Sequence, residues 1–189
     1  MTTAKAIAVA ILLCQPGLGN RVASRYAGVL ADEARQHRFD PMTAAALICH
    51  ESHWLAGAVS RDGEDYGLGQ VRARFIGACR ADLDPVSSPS PSCLATKASL
   101  LDPVYNIRVV AEQIERWKRL CRSKTGRRAT DQQWLSGYGG LSRPAQGTWC
   151  GLRRSKGRWV ALPTAKVVLQ VLRYRRLLAS GQRPSLRTK

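Results

Sequence analysis

No apolar run in this 189-residue chain approaches the roughly 20 residues that a helix needs to span a bilayer. The longest, residues 6–14, covers nine. Acidic residues are scarce, 13 against 30 Lys and Arg, for a formal net charge of +17. That balance predicts a strong positive surface field and a polyanionic partner, with a solvated basic surface that aids solubility as the plain alternative. Histidine is scarcer still: His37, His50 and His53 form no ligand set, and the cysteine spacings lack the paired short intervals of a zinc site. No metal and no cofactor is expected. There is no internal repeat, and a chain of this length with 44% hydrophobic residues suits one core better than two.

What is present begins at the N-terminus. In MTTAKAIAVAILLCQPGLGN, Lys5 precedes the apolar run, and Pro16, Gly17 and Gly19 follow it. This is the layout of a secretory leader, with a cut expected near Asn20. An uncleaved anchor is the alternative, but the run is too short to span. Leu13 is larger than the residue that usually precedes a lipidated cysteine, which disfavours lipidation at Cys14. The expected organisation is therefore a leader at 1–19, a single domain at 20–180 and a basic, frayed tail at 181–189. Loss of the leader leaves five cysteines in a compartment that permits disulfides. Cys79 and Cys93 flank a turn-rich segment, and Cys121 and Cys150 flank the stretch between two later helices, so these are the expected pairs. Cys49, in an apolar helical run, is expected as a buried free thiol. An exported basic protein, periplasmic or extracellular, meets anionic wall or membrane components more often than nucleic acid.

Apolar periodicity predicts a mainly α fold. Helices are expected over residues 22–39, 41–53, 103–120, 131–141 and 163–180, with a short one over 72–79. Asp40 and Pro41 form a strong start signal, N-cap followed by first-turn proline. Glycines at 57, 63, 67 and 69 predict a loop or small β-hairpin over 54–71. The SSPSP segment reads as a turn-rich connection, with order resuming at Leu100, and 142–162 reads as a basic loop.

Glu51 lies four residues after Leu47 and seven after Ala44, so on a helix it shares their core-facing side. A carboxyl there suits general acid chemistry. A local hydrogen-bonded or rim position is the plainer alternative. The segment ESHWLAGAVSRDGEDYGLGQV then carries Glu-Ser, an aromatic, Ala-Val-Ser and Gly-Leu-x-Gln. It resembles the soluble lytic transglycosylases. The resemblance implies a goose-lysozyme-like single domain and places the role of sole catalytic acid and base on Glu51. It further implies cleavage of the β-1,4 linkage from N-acetylmuramic acid to N-acetylglucosamine in peptidoglycan, leaving 1,6-anhydromuramic acid ends, with no metal or second carboxylate. Ser60, Gly67, Leu68 and Gln70 become substrate-binding candidates.

Downstream, Asn106-Ile107 is similar to the family's Asn-Ile segment, and WLSGYGG to its Ala-Tyr-Asn-Ala-Gly stretch, which makes Tyr138 a cleft candidate. A half-buried helix position is the alternative for Tyr138. The sequence departs from the pattern at Gly69, where many members have Met, and at Val110 and Gln113, where Gly and Tyr are common. Gly139 replaces the usual Asn, and one extra residue separates Ser60 from Gly67. Asp62, Glu64 and Asp65 offer a possible second carboxyl, although a polar loop explains them as well. Trp54 is expected to pack the exit of the Glu51 helix. Trp134, Trp149 and Trp159 suit either packing or stacking on sugar. The other functions left open are a hydrolytic lysozyme and a non-catalytic binder of wall glycan or another polyanion; a monomer is expected in each case.

Overall fold

Asp40 organises the centre of the molecule, as its sequence context predicts. Its carboxylate accepts from the Met42 and Thr43 amides and, with Pro41 in the first turn, starts helix α3, Pro41–Ser52. The preceding α2, Asn20–His37, ends on Arg38 in a left-handed conformation. Nine of the twelve residues of α3 are buried, so it is a core helix wrapped on all sides. Around it pack α1 (Ala4–Cys14), α2 and α7 (Lys166–Ala179). The long α5, Pro103–Thr125, capped by Asp102, lies against α2 and α6, Asp131–Tyr138. With the short α4, Pro91–Ser99, this gives a mainly α, lysozyme-like fold. The computed structural model describes residues 3–185, so the last four residues of the expected tail, 186–189, lie outside it. No helix among the described residues is long and apolar enough to cross a membrane.

The described chain keeps the run expected as a leader, which forms α1 with Ile7, Ala10 and Ile11 fully buried. Cys14 is disulfide-bonded to Cys49, so Cys49 is not the free thiol expected. The expected free thiol presupposes loss of Cys14 with the leader, and the described chain keeps Cys14. The other two bridges, Cys79–Cys93 and Cys121–Cys150, are as expected.

The glycine-rich stretch forms a two-stranded antiparallel hairpin, β1 (Asp65–Tyr66) and β2 (Val71–Arg72). The helix expected over 72–79 is two short 3₁₀ turns, Ala73–Phe75 and Gly77–Arg80, separated at Ile76, the second opening on Gly77 with positive φ. Helix α4 arises where only a connection was expected, because Ser90 caps it through the Cys93 amide and Pro91 opens it. The basic loop contains a three-stranded antiparallel sheet: β3 (Thr148–Trp149), β4 (Leu152–Ser155) and β5 (Arg158–Ala161). A Lys156-Gly157 turn, both residues at positive φ, joins β4 to β5. The start of the tail is held in place: Pro184 is buried, and the Tyr174 hydroxyl donates to the Ser185 carbonyl at 3.2 Å.

Candidate active site

Glu51 is the penultimate residue of α3 and is half-buried. The helix is fixed at its other end by a polar network. Thr43 Oγ1 donates to Asp40 at 2.8 Å and lies 3.0 Å from Asp131, and Arg175 on α7 donates to Asp40 at 2.7 Å. At the Glu51 end the chain leaves through His53 and Trp54, two consecutive non-glycine residues in the left-handed region, at φ 54° and 62°. Such a corner costs energy and persists only where surrounding packing dictates it. Trp54 supplies that packing: it is 1% exposed and stacks on Tyr26 at 6.3 Å between ring centroids. It packs the helix exit, as expected.

Glu51 opens onto a cleft of about 690 Å³. Gln70, Arg72 and Phe75 line one wall; Gln113, Arg116 and Trp117 of α5 line another; Gly137, Tyr138, Gly139 and Gly140 close it. The hairpin is bolted to α5 by Asn106, which is fully buried. Asn106 Nδ2 donates to the Tyr66 and Leu100 carbonyls at 3.0 and 2.8 Å, and Oδ1 accepts from the Gly69 amide at 2.8 Å. A Cβ at Gly67 would sit 2.2 Å from the Leu100 carbonyl oxygen, and φ there is +73°, so only glycine fits.

The Tyr138 hydroxyl donates to the Gly69 carbonyl at 2.9 Å. Burial, reinforced by the charges of Glu51 and Asp65, pushes its pKa well above the usual phenol value. Tyr138 is therefore a neutral hydrogen-bonding group beside two carboxyls at physiological pH.

Of the candidates from sequence, the structure brings Glu51, Gln70 and Tyr138 together on this cleft and leaves Ser60, Gly67 and Leu68 off its walls. Leu68 is fully buried in the core. The Ser60 hydroxyl accepts from the Asp65 amide at 2.9 Å and donates to the Asp62 carboxylate, so it shapes the loop. Among the three loop acids, Asp65 alone lines the cleft, gripped by Arg72 through contacts of 2.9 and 3.2 Å. Glu64 pairs with Arg72 and Arg74. Sequence reasoning missed Arg72, Phe75, Arg116 and Trp117 as cleft residues. The i, i+3, i+4 spacing of Gln113, Arg116 and Trp117 was the available signal, since it sets them on one face of α5. Gly137 lets Trp117 lie flat on α6: a Cβ there would meet the indole at 2.3 Å.

The transglycosylase SLT domain family matches residues 29–129, just over half of the chain. The chain belongs to this family. The SLT match contains α3 with Glu51, the β1–β2 hairpin with Gln70, and Asn106 on α5; Tyr138, the three-stranded sheet and α7 lie beyond it. Membership of the SLT family supports peptidoglycan transglycosylase activity in general, with glycan strands as substrate. Neither a curated protein nor a solved structure matches the chain.

Proposed function

We propose that the protein is an exported peptidoglycan lytic transglycosylase that uses Glu51 as its single general acid and base. The carrying observation is the position of Glu51, at the half-buried end of an apolar helix, on a cleft it shares with Gln70 and Tyr138. In the first step the protonated Glu51 carboxyl donates to the bridging oxygen as the bond to muramyl C1 breaks. In the second, the resulting carboxylate takes the proton of the muramyl 6-hydroxyl as that oxygen attacks C1. The ring closes to 1,6-anhydromuramic acid, the proton returns to Glu51, and no water is consumed. Gln70 Nε2 donates to the Ala58 and Gly67 carbonyls at 3.3 and 3.0 Å, which leaves its Oε1 to accept from a sugar hydroxyl, and the Tyr138 oxygen, whose proton goes to the Gly69 carbonyl, offers a lone pair to the protonated acid or to a substrate hydroxyl. Three disulfides and a wall substrate support an oxidising, extracytoplasmic location.

One observation favours a second reading, hydrolysis: Asp65 shares the cleft and is a carboxyl able to serve a water. Mass spectrometry of digested peptidoglycan separates the two. Anhydro ends support the lyase and reducing ends, heavier by one water, support the hydrolase. Loss of all product release in a folded Glu51→Gln variant is expected under either; retention of product release would remove Glu51 from its role.

A further inference from the structure

The positive charge is concentrated in one part of the chain. Residues 116–189 hold 19 of the 30 basic residues and a single acid, Asp131, whereas residues 1–115 hold 11 basic and 12 acidic residues. Helix α3 and the β1–β2 hairpin thus belong to a near-neutral half. The charge gathers on the end of α5, the three-stranded sheet and α7, mostly beyond the SLT match.

The sheet adds aromatic rings to this charge. Cross-strand partners in an antiparallel ladder share a face, as do residues two apart on one strand. Trp149 pairs with Leu152 and Trp159 with Arg154, so Trp149, Arg154 and Trp159 stand on the same face. Lys124, from the end of α5, lies over the Trp149 ring at 4.8 Å from its centroid. Both indoles are partly exposed, and neither belongs to the hydrophobic core nor to the residues packed on it. The sheet is anchored instead by the Cys121–Cys150 bridge and by Gly151 seated against Ser136 of α6. The same anchors set it beside the cleft: Trp117 lies about one turn before Cys121 on α5, and Gly137 and Tyr138 directly follow Ser136.

We infer that Trp149, Arg154 and Trp159, with Lys124 held over the Trp149 ring, form a second peptidoglycan-binding surface for glycan that extends beyond the cleft. The Trp159 indole stacks on a pyranose ring, while Arg154 and the Lys124 held by Trp149 pair with free carboxylates of the peptide stems. An uncharged glycan would need the stacking ring but not the cations; a stem-bearing strand matches both. The inference rests on the peptidoglycan reading of the cleft but not on its chemistry.

The test uses full-length Glu51→Gln protein, sedimented with insoluble peptidoglycan, against the same protein carrying Arg154→Gln and Trp159→Ala. Roughly tenfold weaker binding is expected, with recovery in the conservative Arg154→Lys, Trp159→Phe pair. Binding of the parent should also weaken with rising salt and on glycan stripped of its peptides. In an otherwise wild-type background, the ratio of turnover on polymer to turnover on a short soluble fragment should fall. Equal binding by variant and parent overturns the inference, as does failure of the conservative pair to recover any binding. Undiminished affinity for stripped glycan, or displacement of peptidoglycan by a tighter-binding oligonucleotide, also overturns it. If wild type binds peptidoglycan through this face yet releases no product, the catalytic reading fails and the surface stands.

Discussion

Val110 occupies the space that a side chain at position 69 would need: a Cβ on Gly69 would lie 2.1 Å from Val110 Cγ2 and 2.8 Å from the Tyr138 hydroxyl. Both positions depart from the pattern that the sequence resembles, and here they meet across the hairpin–α5 contact, which predicts an exchange of volume between them. Gly69→Ala alone should destabilise the fold by about 1–3 kcal/mol through overpacking. Adding Val110→Ala should return a substantial part of that loss relative to the sum of the single changes. Urea denaturation of the four-member cycle reads the coupling; simple additivity would refute the exchange.

Tyr138→Phe removes the hydrogen bond to the Gly69 carbonyl and is expected to cost about 1 kcal/mol of stability, along with a fall in kcat. The raised phenol pKa sets the sign of the pH dependence. The folded state favours the neutral phenol, so this contribution is fully present below the unfolded value of about 10 and is lost as pH rises above it. Melting curves should therefore show wild type losing its advantage over Tyr138→Phe in strong alkali.

Asp40 titrates in the opposite sense. Burial pushes its pKa up, but the hydrogen bonds from Arg175, Thr43 and the Met42 amide outweigh burial and hold it below the usual carboxylate value. Its stabilisation is present above the unfolded pKa, about 3.9, and is lost as pH falls through the lower folded value. Asp40→Ala should cost about 1–2 kcal/mol near neutrality. The gap from wild type should close in acid, as read by thermal melts across pH.

Asp65→Asn discriminates between one and two working carboxyls. With Glu51 alone in the chemistry, Asp65→Asn keeps measurable turnover and still yields anhydro ends, while Glu51→Gln releases no product. Equal losses in the two variants would establish a two-carboxyl mechanism.

Intact mass of the exported protein, with and without reduction, tests the leader expected at residues 1–19: a chain that keeps Cys14 shows three bridges. Cleavage near Asn20 would remove α1 and its buried Ile7, Ala10 and Ile11, leaving two bridges and an unpaired Cys49. Two bridges in the mature chain are the outcome that the leader predicts, and three would overturn it.

Short-range signals made much of the fold legible. The Asp40-Pro41 start of α3, the face that carries Glu51, the periodicity of α5 and the clustered glycines of the hairpin all act within a few residues. The local cysteine pairs, 14 and 29 residues apart, were legible for the same reason. Helix α4 was hidden because Ser-Pro repeats signal a turn and a capped helix start alike. The three-stranded sheet was hidden because strands of two to four residues are too short to display a period of two.

Chain order and residue type determine where α3 begins, where Glu51 falls on it and which glycines can turn the hairpin, since each depends on neighbours a turn or two away. Tertiary packing alone decides that Tyr138 reaches the Gly69 carbonyl, that Asp65 faces the cleft while Ser60 does not, and that Cys14 meets Cys49. Those outcomes depend on how separate helices close against one another. No local pattern encodes the direction in which a distant side chain arrives.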